Sequence, residues 1–173
     1  VVATRPREER EAYIKDGWFN YPKEFEKYLL AGTDSVGNPG VEGHCMFSAY
    51  DLEQYALADI TGICRFWLGY WMFPPINSRT LIADLISAAT GMDIDEAKAT
   101  TIAKSIVSLV RAYNAREGLR KKDDFSSIPK HAFERTLHPT EEKMDPAIFG
   151  KMIDTFYEIN GWTNDGIPTK ETL

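Results

Sequence analysis

The amino-acid sequence predicts an all-α protein. Apolar residues recur at spacings of three and four along most of the chain, and capping residues and glycines bracket these segments. Few stretches alternate between apolar and polar residues as strands do. With 173 residues, 43% hydrophobic and 27% charged, the chain is long enough to bury a core without disulfides. We therefore expect an irregular bundle of helices.

The N-terminal part predicts one exposed helix, one short helix and a loop. Residues 1–16 are dense in charge, which is typical of a solvated helix or a frayed end. Pro22 is placed to begin a short helix over residues 23–30. Glycine, proline and asparagine are concentrated in residues 33–43, so we expect a loop there.

The central part predicts a helix followed by an aromatic segment. The helix begins at Ser48 and ends at Gly62, and the residues at helical spacing along it are Leu52, Tyr55, Ala56 and Asp59. Two prolines then prevent helix continuation. Between Gly62 and these prolines, Pro74 and Pro75, lies an aromatic run that either packs in the core or lines a channel: Phe66, Trp67, Tyr70, Trp71 and Phe73.

Two capped helices are predicted next. Asn77 or Ser78 can cap a helix that ends at Gly91. Asp93 or Asp95 caps what we expect to be the longest helix of the chain. Its apolar face would consist of Ile102, Ile106, Leu109, Val110 and Tyr113.

The C-terminal part predicts a polar segment and one strong helix. Residues 119–144 are polar and interrupted by prolines. Asp145 and Pro146 begin an amphipathic helix that ends at Gly161. Pro168 and Thr169 have the pattern of a further helix start, which the chain does not complete, and the chain does not begin with Met. We therefore expect a piece of a longer protein.

Composition excludes several classes of function. A net charge of −6 argues against a nucleic-acid partner, which needs a basic face. No apolar run reaches the ~20 residues that span a bilayer, and no signal-peptide pattern is present. The two cysteines, Cys45 and Cys64, are too few for a disulfide scaffold, and we expect Cys45 to be a free thiol.

The sequence contains no self-contained active site. His44, His131 and His138 are far apart and lack metal-ligand spacing, so we expect them in surface positions. No glycine-rich phosphate loop follows a strand, and no serine lies in a nucleophile elbow. These residues alone indicate a helical domain without its own chemistry.

One segment, Asp59-Ile60-Thr61-Gly62-Ile63-Cys64, allows two interpretations. In the first, Asp59 is an exposed residue at a helix end, Gly62 makes the turn and Cys64 is a small core residue. In the second, the acid, the glycine and the thiol face a ligand. A lone cysteine cannot hold a zinc ion or an iron–sulfur cluster, because three more ligands are required.

The same segment resembles the Asp-x-x-Gly-Leu-Cys motif of the aldehyde ferredoxin oxidoreductase family, with Ile63 in place of the leucine. Three further stretches are similar to family signatures in order and spacing: residues 88–91, 113–118 with 123–124, and 157–162 with 166–169. The resemblance is good over residues 49–173 and weak over residues 1–48. We therefore expect a helical C-terminal domain of this family over residues 49–173.

The resemblance implies a role for each residue of the segment. Asp59 would contact the amino-pyrimidinone edge of a pterin, since a carboxylate accepts two parallel N–H bonds. The backbone at Gly62 and Ile63 would lie against the pterin, because glycine has no Cβ to obstruct a flat ring. Cys64 would be the fourth ligand of a [4Fe-4S] cluster. Arg65 would hydrogen-bond to a cluster sulfur or raise the reduction potential of the cluster. The alternative for Arg65 is a surface salt bridge alone.

For the whole protein, the resemblance implies a cytoplasmic enzyme that oxidises aldehydes to carboxylic acids. Its cofactors would be a tungsten-bis-pterin, or its molybdenum counterpart, and the [4Fe-4S] cluster. Electrons would pass to ferredoxin or a partner redox subunit. The upstream domains of its own chain would be further partners, with no nucleic acid and no membrane span.

The sequence also departs from the family pattern. It lacks the Cys-x-x-Cys-x-x-x-Cys run, the second pterin motif and the N-terminal domain. His44 does not have the surroundings of the family's active-site histidine. We therefore expect these 173 residues alone to be inactive and to bind neither cofactor stably. Residues 32–43 resemble an insertion, which indicates a branch such as the class II benzoyl-CoA reductases, acting on an acyl-CoA. A non-catalytic helical structural or interaction module is the alternative.

Overall fold

A computed structural model of the chain describes residues 6–17, 21–31, 40–65, 79–135 and 143–173. The secondary structure there is helical: α1 (Arg7–Lys15), α2 (Glu26–Leu29, after a 3-10 turn at Lys23–Phe25), α3 (Gly40–Thr61), α4 (Arg79–Thr90), α5 (Glu96–Arg116), α6 (Lys121–Ser126), α7 (His131–Glu134) and α8 (Pro146–Ile159). These ranges hold no β-strand, only one isolated bridge between Trp162 and Pro168. The predicted all-α fold is confirmed. None of the described helices has the length and apolar character that a bilayer crossing demands.

The predicted helix ends are confirmed where capping chemistry specified them. The Asp95 carboxylate accepts the backbone N–H of Lys98 at 2.8 Å, and the Asp145 carboxylate accepts that of Ala147 at 2.7 Å. These bonds satisfy backbone donors that a helix start leaves unpaired. Helices α3, α4 and α8 end beside the predicted glycines. The Asn77 or Ser78 cap, the aromatic run at 66–73 and His138 lie outside the described residues.

The helix predicted from Ser48 begins earlier, at Gly40, so the loop predicted over residues 33–43 is wrong for residues 40–43. At 22 residues α3 is longer than α5, which has 21. Tertiary packing overrides the low helix propensity of glycine here, because Gly43 and Cys45 are buried in the fold. The buried face is also shifted from the predicted one, with Leu52 exposed.

The apolar face predicted for α5 is wrong in its C-terminal half. Leu109, Val110 and Tyr113 are 64%, 57% and 58% exposed. The helix buries a different set, which recurs every four residues: Ala99, Ala103, Val107, Arg111 and Ala115. Small residues and one arginine pack inside, while a stripe of larger apolar side chains faces outward.

The helix predicted to begin at Pro168 is also absent, and residues 169–172 form turns instead. Pro168 pairs with Trp162 in the isolated bridge. The Thr163 backbone N–H donates to the carbonyl of Ile167 at 2.8 Å, and that of Gly166 donates to Thr163 at 2.8 Å. These bonds close a tight loop over residues 163–167, ahead of the turn at residues 169–172.

The chain divides into two compact units, Val1–Val107 and Ser108–Leu173. The core of the first unit consists of Leu57, Ala58, Ile82, Ala83, Ile94, Ala99 and Ala103. An aromatic cluster joins α2 to α3, and Phe25 lies 5.1 Å from Phe47 and 5.4 Å from Tyr50 between ring centroids. The expected family-domain boundary at residues 48 and 49 remains a prediction.

Two buried arginines fix the helices of the first unit. Arg10, inside the segment predicted to be solvated, donates to the carbonyls of Leu29 and Ala31 at 3.0 and 2.9 Å. Arg79 forms an ion pair with buried Glu53 at 2.7 Å and stacks 3.9 Å from the centre of the Tyr50 ring. Such groups are tolerated inside a protein only when their donors and charges are matched.

Candidate functional site

The candidate site begins where α3 leaves the core of the first unit. Leu57 and Ala58 are completely buried two residues and one residue before Asp59, so the last turn of α3 is anchored. Asp59 and Ile60 then face away from the core and are exposed. The fixed backbone therefore presents the Asp59 carboxylate on the surface.

Gly62 ends α3 in the left-handed conformation, with φ of 72°. That conformation favours glycine, because other residues are strained there. A Cβ built at this position would meet no other atom within 4 Å. Glycine is thus required by the backbone turn, and the space over it is open among the described residues.

The two residues after the turn differ in burial. Ile63 packs against the hydrophobic core, whereas Cys64 is a free and exposed cysteine. Ile63 therefore anchors the segment a second time, one residue before the thiol. The structure brings Asp59, Gly62 and Cys64 to one anchored, outward-facing turn.

Arg65 pairs with Asp59. Its Nε donates to Asp59 Oδ1 at 2.7 Å, and its Nη2 donates to Asp59 Oδ2. The hydrogen bond from Arg65 holds the pKa of the Asp59 carboxyl below its usual value. Both side chains are more than half exposed, at 58% for Arg65 and 53% for Asp59. The surface salt bridge considered for Arg65 is therefore present, and its hydrogen bond to a cluster sulfur stays a prediction.

The donor set matches the cofactors that the resemblance implies only in part. An exposed carboxylate beside an open glycine turn suits the N–H edge of a flat ring, and an exposed thiol suits a metal. The described residues hold no group of three or more metal-ligating side chains. Cys64 can therefore supply one ligand, and a [4Fe-4S] cluster needs four.

The other candidate residues are placed away from this turn or are buried. Cys45 is a buried thiol on α3 that forms no disulfide among the described residues. His44, exposed on the same helix, and His131, on α7, are surface residues. Neither is part of a metal-ligating group among the described residues.

Sequence reasoning missed Arg111, the centre of a buried network in the second unit. Its guanidinium donates to both Asp124 carboxylate oxygens, at 3.0 and 2.6 Å, and to the Gly166 carbonyl at 2.6 Å. The Tyr157 hydroxyl also donates to Asp124. Burial disfavours ionisation of Asp124, but these bonds and the Arg111 charge outweigh it and lower the pKa of its carboxyl.

Three of these residues belong to the stretches that resemble family signatures: Asp124, Tyr157 and Gly166. Gly166 has φ of 74°, and a Cβ there would lie 2.7 Å from Tyr157 Cζ and closer still to Arg111. Asp124 thus has a structural role in the second unit, which rests on its ion pair with Arg111. The available signal was Arg111 itself, four residues from Val107 and from Ala115 on a buried face.

The described residues thus form an all-α region with an exposed carboxylate and an exposed thiol beside a glycine turn. The profile "Aldehyde ferredoxin oxidoreductase, domains 2 & 3" matches residues 12–173. The chain belongs to this oxidoreductase family and represents its helical C-terminal region.

Two relatives illustrate the relationship. The tungsten-containing aldehyde ferredoxin oxidoreductase of Pyrococcus furiosus is 30% identical over 90 residues, which cover 52% of this chain and 15% of that protein. The structure of the active site complex BamBC of benzoyl coenzyme A reductase with 1,5-dienoyl-CoA contains a chain similar to this one, with a TM-score of 0.77 and 30% identity. That match covers 98% of this chain and 25% of the other. The chain thus spans a quarter or less of these relatives.

Proposed function

We propose that this chain is the part of a tungsten-pterin, iron–sulfur oxidoreductase that contacts both cofactors through one turn. Asp59 binds the pterin edge, the backbone of Gly62 and Ile63 lies against the pterin, and Cys64 is the fourth cluster ligand. The observation that carries the proposal is the anchored turn after α3, which exposes Asp59 and Cys64 on either side of a left-handed glycine.

Each residue contributes a distinct property. The Asp59 carboxylate accepts a pair of N–H bonds and so fixes the orientation of a ring edge. Gly62 leaves the ring face unobstructed, as its empty surroundings allow. Ile63 holds the backbone to the core, so the Cys64 thiolate is presented at a fixed distance from Asp59. When bound, the tungsten centre and the cluster supply the two-electron oxidation and the outward transfer of electrons.

We propose an aldehyde as the substrate of the whole enzyme, oxidised to a carboxylic acid, and ferredoxin or a redox subunit as the acceptor. The name of the Pyrococcus furiosus relative supports this reaction. The second candidate is low-potential chemistry on an acyl-CoA. It is favoured by the match of nearly the whole chain to a protein of the benzoyl coenzyme A reductase complex.

The exposed stripe of α5, defined by Leu109, Val110 and Tyr113, supports a larger enzyme. Three large apolar side chains, each more than half exposed, form the kind of patch that another surface covers. The matches to the two relatives cover only 15% and 25% of their lengths. We propose that the upstream domains of the same polypeptide cover the stripe and supply the remaining cluster ligands.

The test is the iron content of the full-length protein with Cys64→Ala, compared with Cys45→Ala. We expect Cys64→Ala to lose one iron or the whole cluster, with a changed visible and electron paramagnetic resonance spectrum. Cys45→Ala removes a buried thiol of the same unit and should keep the parental spectrum. A parental iron content and spectrum in Cys64→Ala would contradict the proposal and favour a structural module.

A second measurement concerns the 173 residues alone. Because one ligand cannot hold the cluster, we expect less than one iron and no tungsten per purified chain. Stoichiometric metal in a monomer would contradict this expectation.

A further inference from the structure

The Asp59–Arg65 pair lies at the one position where the proposed function needs a free carboxylate. Two guanidinium nitrogens of Arg65 face the two oxygens of Asp59. The Arg65 guanidinium also lies 5.4 Å from the centre of the Tyr55 ring, on α3. The guanidinium is therefore seated against the end of α3.

A guanidinium and the amino-pyrimidinone edge of a pterin present the same chemistry. Each offers two parallel N–H donors on a planar N–C–N group, and each is matched by both oxygens of one carboxylate. The two groups compete for the same lone pairs of Asp59. Arg65 must give up its bidentate position on the two oxygens before a pterin edge can bind Asp59 in the same fashion.

The position of Asp59 explains why it pairs with a cation. Asp59 lies in the last turn of α3, where the unpaired carbonyls carry partial negative charge and disfavour an anion. The last turn of α3 contains no basic residue. Arg65, which follows the turn at Gly62, supplies the compensating positive charge.

We propose that Arg65 is a placeholder, which occupies Asp59 in the cofactor-free protein and is exchanged for the pterin edge on cofactor binding. This inference rests on the proposed function of Asp59. The exchange is feasible because the pair is exposed. Exposed ion pairs contribute little to stability, so Arg65 should weaken pterin binding only about two- to fivefold.

The experiment measures pterin binding to the cofactor-free full-length protein by quenching of the fluorescence of free pterin (2-amino-4-oxopteridine). We expect Arg65→Ala to bind pterin about two- to fivefold more tightly than the parent. The gain should shrink at high salt, which screens exposed pairs. Arg65→Lys keeps the positive charge but lacks the two parallel N–H donors of a guanidinium, so its affinity for pterin should lie between those of the parent and Arg65→Ala. Arg116→Ala, which removes another exposed arginine paired with a carboxylate, should not change binding.

A double-mutant cycle with Asp59→Asn separates this inference from the proposed function. If Asp59→Asn weakens pterin binding and abolishes the gain from Arg65→Ala, the exchange is supported. If Asp59→Asn weakens binding but Arg65→Ala binds no more tightly than the parent, the placeholder role is wrong and the role of Asp59 stands. If Asp59→Asn binds pterin as the parent does, both are wrong.

Discussion

Each of the two units contains an aspartate held by two nitrogens of an arginine, but the two pairs differ in exposure. In the first unit, Arg65 and Asp59 are 58% and 53% exposed. In the second, Arg111 and Asp124 are 8% and 29% exposed, and Tyr157 also binds the carboxylate. Both aspartates belong to stretches that resemble family signatures. The signatures therefore mark two different arrangements: an exposed ion pair at a helix end and a buried ion pair inside the second unit.

The difference in exposure decides which pair can change partners. An exposed pair contributes about 0–1 kcal/mol, because water replaces either partner readily. A buried pair contributes little net stability, but loss of one partner costs about 3–5 kcal/mol, since the other charge is left unmatched. Asp59 can thus exchange its arginine for another donor, whereas Asp124 cannot.

The largest expected effect is that of Arg111→Ala. It leaves the Asp124 carboxylate and the Gly166 carbonyl without their buried donor, so we expect the free energy of unfolding to fall by about 3–5 kcal/mol. Chemical denaturation of the chain measures this. Arg116→Ala, on the exposed side of the same helix, should change it by less than about 0.5 kcal/mol. Equal effects of the two substitutions would show that the network is no brace.

Gly62 and Gly166 have the same left-handed backbone conformation but differ in how closely other atoms surround them. Gly62→Ala adds a side chain in open space. The free energy of unfolding should therefore fall only by the strain of the left-handed conformation, about 1–2 kcal/mol. Gly166→Ala adds the same strain and a clash with Arg111 and Tyr157, which should cost about 1–3 kcal/mol more. Denaturation midpoints of the two variants give the difference. Equal midpoints would contradict the close packing around Gly166.

The smaller expected effect is a pH dependence of the brace. The pKa of Asp124 is lower in the folded chain than its ordinary value of 3.8. The stabilisation by ionised Asp124 is therefore complete above about pH 4 and is lost as the pH falls through the lower folded value. The difference in unfolding free energy between the parent and Asp124→Asn should be constant near neutral pH and shrink below pH 4. If the difference in unfolding free energy instead grew on acidification, the pKa of Asp124 would not be lowered by folding.

Much of the fold could be predicted from the sequence, because local chemistry specifies it. Asp95 and Asp145 cap helices through bonds within three residues of themselves, and glycines end helices locally. The buried face of α5 could not be predicted in this way. Hydrophobic periodicity finds an apolar stripe but does not show which surface covers it, and Leu109 and Val110 face outward here.

The same distinction between local and distant contacts decides which site residues could be predicted. Asp59, Gly62 and Cys64 lie within six consecutive residues, so a motif could identify them. Arg111 could not be assigned, because its partners Asp124 and Tyr157 are 13 and 46 residues away in sequence. A surface salt bridge was one of two predictions for Arg65, but its partner Asp59 was not predicted, since a spacing of six residues across a helix end does not fix a contact.

The central claim is that Asp59 serves a ligand and not the fold. The most direct measurement is the pterin content of the purified full-length protein with Asp59→Asn, with the unfolding free energy of its cofactor-free form. Asp93→Asn, at another exposed aspartate, is the control. We predict that Asp59→Asn loses pterin while its cofactor-free stability changes by less than about 0.5 kcal/mol. Parental pterin content in Asp59→Asn would contradict the proposed role of Asp59 in binding the pterin.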